Sequence, residues 1–135
     1  MKELKHPIRE AERYLQNARD ILSEKAGKEG RYYTDKKYVK MAGDTAWKGV
    51  LVALDAVLPV RVNLKKGQRP DFQDYQEEIA KRDRKMPPVL VNAYDSLHKA
   101  MGYDGNTDYK MVQLSLEKAK ILLNWADKQY HNQKL

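Results

Sequence analysis

Between Asp35 and Leu58 the small residues Ala42, Ala46, Gly49, Ala53 and Ala56 recur at alternating steps of four and three. Residues so spaced share one face of an α-helix, and side chains this small let a second helix approach closely. Trp47, Leu51, Leu54 and Leu58 flank the stripe on one side, and Val39, Val50 and Val57 on the other. A helix apolar around most of its circumference is a buried one, so this segment is expected at the centre of a bundle.

The remaining periodic segments read as helices around it. Pro7 suits a first helical turn, and Ile8, Ala11, Leu15, Ala18 and Leu22 then repeat at three and four, with Tyr14 and Ile21 widening the stripe. This first helix should reach about Ala26. Gly27 and Gly30 end it, and a polar connection leads to the central helix, which Thr34 or Asp35 can cap and Pro59 stops. Residues 60–70 show no period and read as a loop. Asp71 can cap a short third helix with an apolar edge of Phe72, Tyr75 and Ile79, expected to lie across the bundle. Pro87 and Pro88 start a fourth, with Leu90, Ala93, Tyr94, Leu97 and Met101 inward and Gly102 and Gly105 closing it.

Asn106, Thr107 or Asp108 can cap the last helix, where Tyr109, Val112, Leu116, Ala119, Leu123, Ala126 and Tyr130 keep a seven-residue repeat. A second row on that helix, Met111, Leu114, Ile121 and Trp125, must meet either another helix or a second subunit. The pattern predicts an all-α protein, a four- to five-helix up-and-down bundle forming one domain over residues 1–135, with no convincing strand.

Composition narrows the function classes. At 135 residues the chain is long enough for one self-sufficient core. It has no cysteine, which excludes disulfides, thiolate metal sites and cysteine nucleophiles. Residues 1–13 alternate charges with isolated apolar positions, so no signal or membrane-spanning stretch is expected there, and a cytoplasmic location follows as the default. The formal charge of +7 favours polyanions. Its clearest sources are Arg61, Lys65, Lys66 and Arg69, then Lys81, Arg82, Arg84 and Lys85, with Asp71, Asp74, Glu77 and Glu78 between them. Without interleaved aromatics such runs read as a solvated surface before a nucleic-acid patch.

Among titratable residues His98 stands out, one position beyond the inward Leu97 and one turn after Tyr94 and Asp95. An imidazole there suits general acid or base work, or a structural hydrogen bond. His6 and His131 lie near the termini and read as solvated. Asp44, Lys48 and Asp55 interrupt the central helix on one side; Asp44 and Lys48 suit an ion pair, and Arg61 or the His98 region could partner the group. A di-metal bundle needs several inward carboxylates with Glu-x-x-His pairs, and only Glu3 with His6 and the poorer Asp95 with His98 come near, so no metal or cofactor is expected. No glycine-rich phosphate loop follows a strand, which excludes the common nucleotide folds.

The helix order, the segment Tyr38 to Leu58 (YVKMAGDTAWKGVLVALDAVL) and the segment Leu97 to Gly105 (LHKAMGYDG) resemble the HEPN helical superfamily over most of the chain. That resemblance implies a homodimer and either ribonuclease activity or partnership with a small nucleotidyltransferase. The superfamily's ribonuclease motif is Arg, four to six residues, then His. Here His98 matches the histidine, Asn92 stands six residues before it, and neither Arg nor Lys occupies a permitted position. Asn92 can donate hydrogen bonds but brings no charge to a phosphate. The expectation is therefore a non-catalytic helical interaction module or a nucleotide- or RNA-associated one, homodimeric, with Leu114, Ile121 and Trp125 as interface candidates. The alternative is a divergent, metal-independent, toxin-like ribonuclease using His98, with Arg61, Arg84 or Lys85 approaching from elsewhere in the fold.

Overall fold

The computed structural model describes residues 6–62 and 64–134. It is the all-α bundle the pattern predicts. Helix α1 (Pro7–Ile21) runs on through a π-helical turn, Leu22–Ala26, and a hairpin of two two-residue strands follows, β1 (Lys28–Glu29) and β2 (Tyr32–Tyr33). Then come α2 (Lys36–Val57), α3 (Phe72–Arg82), α4 (Pro87–Ala93) continuing as a π-helical segment Tyr94–Tyr103, and α5 (Tyr109–Lys134). Among the described residues no helix is long and apolar enough to cross a membrane.

Local chemistry sets most of these boundaries. Pro7 takes the first turn of α1, and the His6 side chain caps it, Nδ1 accepting from the Ile8 N–H at 3.2 Å. Asp35 rather than Thr34 caps α2, accepting from the Lys37 N–H at 3.0 Å. The Thr34 hydroxyl donates instead to the Ala26 carbonyl at the end of the first helix. Asp71 and Asp74 form a capping box on α3, Asp74 Oδ2 accepting from the Asp71 N–H at 2.7 Å. Asp108 starts α5, accepting from the Met111 N–H at 3.1 Å. The fourth helix continues through Gly102 and ends before Gly105, whose φ of 65° is left-handed.

The hairpin corrects the expectation that no strand forms. Its second strand docks on the residues ahead of α5, with Tyr33 N–H donating to Thr107 O and Tyr109 N–H to Arg31 O, both at 2.9 Å. Tyr33 is thereby buried, and its hydroxyl accepts from Gln113 Nε2 at 2.9 Å.

Helix α2 is the central element, packing against α1, the π-helical segment and α5. Ala42, Ala46 and Ala53 are buried with the flanking Val39, Val50, Leu54 and Val57. Two glycines mark its closest approaches. A Cβ on Gly49 would lie 2.9 Å from Tyr14 Cβ and 3.0 Å from Ala11 O on α1. A Cβ on Gly43 would lie 2.6 Å from Met101 Cβ and 2.7 Å from both Gly102 N and Leu97 O. Gly43 is outside the small-residue stripe read from the sequence, yet it seats the segment that carries His98. Every inward position of the α5 repeat from Val112 to Ala126 is buried. The far end of α5 is tied back to α2 by Gln133 Nε2, which donates to Val57 O at 2.9 Å.

Candidate functional site

The π-helical segment follows α4 without a break, its hydrogen bonds reaching five or more residues back, as from Asp104 N–H to Lys99 O. Such winding sets residues four and five apart above one another, which aligns Tyr94 with His98. Their rings stack with centroids 5.0 Å apart and planes 23° from parallel. On the other side of Tyr94 lies Phe72, the first residue of α3, at 4.1 Å and 19°. Trp47 of α2 meets Tyr94 edge-on at 5.3 Å and lies 6.3 Å from His98. Three elements thus build one aromatic ladder, Phe72–Tyr94–His98, braced by a buried tryptophan.

Exposure is graded along the ladder: Phe72 and Tyr94 are half-buried and His98 is exposed. Among the described residues His98 makes ring contacts and no hydrogen bond or ion pair. Lys99 reaches over the Tyr94 ring with Nζ 5.2 Å from its centroid, and it also pairs with Asp95 at 3.7 Å. Asn92 is exposed, and its backbone carbonyl accepts from the Ser96 hydroxyl. Asp44 stands against the same segment, since a Cβ on Gly102 would collide with its Oδ1. Asp44 and Lys48 are both exposed and form no ion pair among the described residues, unlike the sequence expectation.

Asp55 is the acid of α2 that finds partners. Its Oδ1 accepts from the Tyr75 hydroxyl at 2.6 Å and its Oδ2 from Arg61 at 3.1 Å. Burial first, and then the hydrogen bond to this carboxylate, pushes the Tyr75 phenol far above its ordinary range. The group is a structural clamp between α2 and α3, with Arg61 as its exposed arm.

The basic candidates divide accordingly. Arg61 is held by Asp55, and Arg82 by the carboxylate and carbonyl of Glu78. Lys65, Lys66 and Arg69 are exposed in the loop before α3, and Arg84 and Lys85 in the turn after it. The eleven residues of α3, roughly 16 Å long, lie between the two groups in the chain. Within that loop Leu64 lies beside Asp74, Glu77 and Lys81 of α3, and Arg69 stands three residues before Phe72 in the chain.

The interface candidates divide too. Leu114 and Ile121 are exposed, at 62% and 49%. Trp125 is buried, its Nε1 donating to Asp83 Oδ2 at 3.1 Å, and Met111 is partly buried against the core. Two clefts of about 430 and about 710 Å³ open beside α1 and α5, and His98 lines neither. The larger gathers Arg9, Arg13, Arg19 and Lys120 with Glu12 and Glu117, a basic concavity that no run of charges in the sequence announces.

Over residues 6–128 the chain matches the family described as Domain of unknown function (DUF5618). It belongs to that family. A solved structure described as a protein of unknown function from Dyadobacter fermentans is similar, with a TM-score of 0.79 and 41% sequence identity. The match covers 91% of this chain and 94% of that one. No curated protein matches.

In this DUF5618 chain two groupings escaped the sequence reading. Trp47 and Phe72 join Tyr94 and His98 only through tertiary packing, although the four-residue spacing of the last two was visible. The second grouping brings His6 to Asp127 and His131, whose ligand atoms all lie within 4.8 Å of one another. The spacing of Asp127 and His131 was legible as a one-turn pair, whereas His6 comes from the opposite end of the chain. Glu3, the sequence partner considered for His6, lies outside the described residues.

Proposed function

We propose that the chain is a non-catalytic module that binds single-stranded RNA by stacking an unpaired base on the exposed end of the Phe72–Tyr94–His98 ladder. The observation that carries this reading is the ladder itself: aromatic rings in near-parallel register, supported from beneath by Trp47 and open to solvent at His98. Planar side chains of this kind accept bases of any identity, because every base has a π-face. Lys65, Lys66 and Arg69, exposed in the loop before α3, supply charge for the phosphate chain, and the net charge of +7 draws a polyanion toward the protein. The resemblance to the HEPN superfamily supports RNA as the ligand class. In this reading the protein assembles as a homodimer or with a nucleotidyltransferase-type partner, and Leu114 and Ile121 are two exposed apolar side chains on α5 that such a contact would cover.

The ribonuclease reading is weaker on physical grounds. A phosphodiester transition state needs cationic or hydrogen-bonding stabilisation beside the group that moves the proton. Among the described residues no arginine touches His98, and the imidazole lies on an open surface with nothing to exclude water. Incubating purified protein with a mixed single-stranded RNA pool tests the distinction. RNA retained by the protein and recovered intact fits a binding module; cleavage that vanishes in His98→Ala at unchanged helicity would overturn it.

A further inference from the structure

The base of α1 and the last turns of α5 meet in a cluster separate from the aromatic ladder. His6, the N-cap of α1, tilts its ring against Tyr130 with centroids 4.4 Å apart, and against His131 at 5.9 Å. One turn apart on α5, Asp127 and His131 form a pair with Oδ1 and Nε2 3.4 Å apart. We propose that His6, Asp127 and His131 together bind one divalent cation of the zinc class.

The donor set argues for that class. Two imidazole nitrogens and one carboxylate oxygen suit zinc, nickel or cobalt, whereas magnesium and calcium seek oxygen ligands only. Ligand atoms at about 2.1 Å from a tetrahedral ion sit roughly 3.4 Å apart. The present spread of at most 4.8 Å therefore closes with small side-chain movements, and exposed His131 is free to make them. His6 and Asp127 are half-buried, so two of the three ligands are already confined. Three protein ligands leave a position open for water or for a donor from another molecule.

One hydrogen bond makes this site distinguishable from casual binding to a surface histidine. His6 Nδ1 now accepts from the Ile8 N–H. An ion on Nε2 sends the remaining imidazole proton to Nδ1, which can then no longer accept; an ion on Nδ1 takes the lone pair directly. Either way the Ile8 N–H is released. The ion exchanges a helix cap for a staple between α1 and α5, so loading the site must disturb an amide at the start of α1 as well as the histidines.

The test uses the full chain with any histidine tag removed, in a non-chelating buffer. Zinc chloride is titrated by calorimetry and followed by amide NMR, with magnesium chloride as a control. The expected result is one zinc per chain, no response to magnesium, and a shifted Ile8 amide. Affinity should fall at least tenfold in each of His6→Asn, Asp127→Asn and His131→Gln. Asparagine is itself a good N-cap, so His6→Asn keeps the helix start while removing the imidazole. The proposal is overturned if zinc does not bind. It is equally overturned if His6→Asn binds as tightly as wild type, or if the Ile8 amide stays in place; each of those marks an adventitious ion only, on the Asp127–His131 pair.

Discussion

At Gly43 even a methyl group has nowhere to go. Its Cβ would stand 2.6 Å from Met101 Cβ and 2.7 Å from Leu97 O and Gly102 N, against about 3.5–4.0 Å for ordinary contacts between carbon atoms. Two of those three neighbours are backbone atoms of the π-helical segment, which cannot swing aside as a side chain can. Gly43→Ala must therefore push α2 and that segment apart by close to 1 Å. In an unconstrained helix the substitution would gain about 1 kcal/mol from the lower entropy of alanine. Overpacking costs about 1–3 kcal/mol, and backbone contact on this side puts Gly43 at the upper end, for a net loss of about 2 kcal/mol. Gly49→Ala meets Tyr14 Cβ at 2.9 Å and Ala11 O at 3.0 Å, a milder conflict that the helix-propensity gain should nearly offset. Urea denaturation at constant m-value measures both, and Gly43→Ala should show clearly the lower midpoint. A Gly43→Ala protein as stable as wild type would refute the close approach of α2 to the segment bearing His98.

Two further predictions concern the clamp on α2 and the start of α5. Tyr75→Phe removes a buried hydroxyl bonded to the Asp55 carboxylate and should cost about 1.5 kcal/mol in the same denaturation assay, while Arg61→Ala, which removes a solvent-screened exposed arm, should cost less. Equal effects would mean that the clamp is mainly electrostatic. The Met111 N–H bond, with Arg31 assisting, holds the Asp108 carboxyl below its ordinary value of 3.8. As pH falls, the unfolded chain takes up this proton first, so the stability from Asp108 is complete above its unfolded value and is lost as pH drops toward the folded one. Asp108→Asn should accordingly flatten the fall in melting temperature as pH drops through and below the ordinary carboxylate value of 3.8. An acid limb as steep as that of wild type would assign the loss to other carboxylates.

The bundle was legible because its helices carry their own periods. The apolar faces of α1, α2 and α5 repeat at three and four residues, and Asp35, Asp71 and Asp108 stand at helix starts where a side-chain oxygen is needed. Less legible was anything that depends on how helices meet. Gly43 lies off the regular small-residue stripe, and nothing local distinguishes it from a solvent-facing glycine until Met101 and Gly102 are placed against it. The hairpin strands are two residues each, too short for an alternation to show. Around His98 the sequence showed a histidine one turn after a tyrosine, while Phe72 and Trp47 reach that tyrosine from other elements. The same limit applies to His6 and His131, read as two solvated termini because 124 residues of chain separate them. Trp125 looked available on the second row of α5, but a hydrogen bond to Asp83 in the turn after α3 draws it inward.

The central claim is that the ladder ending at His98 holds an RNA base, and fluorescence anisotropy of a labelled single-stranded RNA oligonucleotide tests it most directly. Wild type, Tyr94→Ala and His98→Ala are titrated at about 50 and 200 mM salt, with helicity checked for each. Stacking of one base contributes about 1–3 kcal/mol, so each substitution should weaken binding at least 5-fold at either salt. If Lys65, Lys66 and Arg69 each meet a phosphate, the fourfold rise in salt should weaken wild-type binding about 20-fold. Wild-type affinity in both folded variants, or no RNA binding by the wild-type protein at the lower salt, would contradict the account.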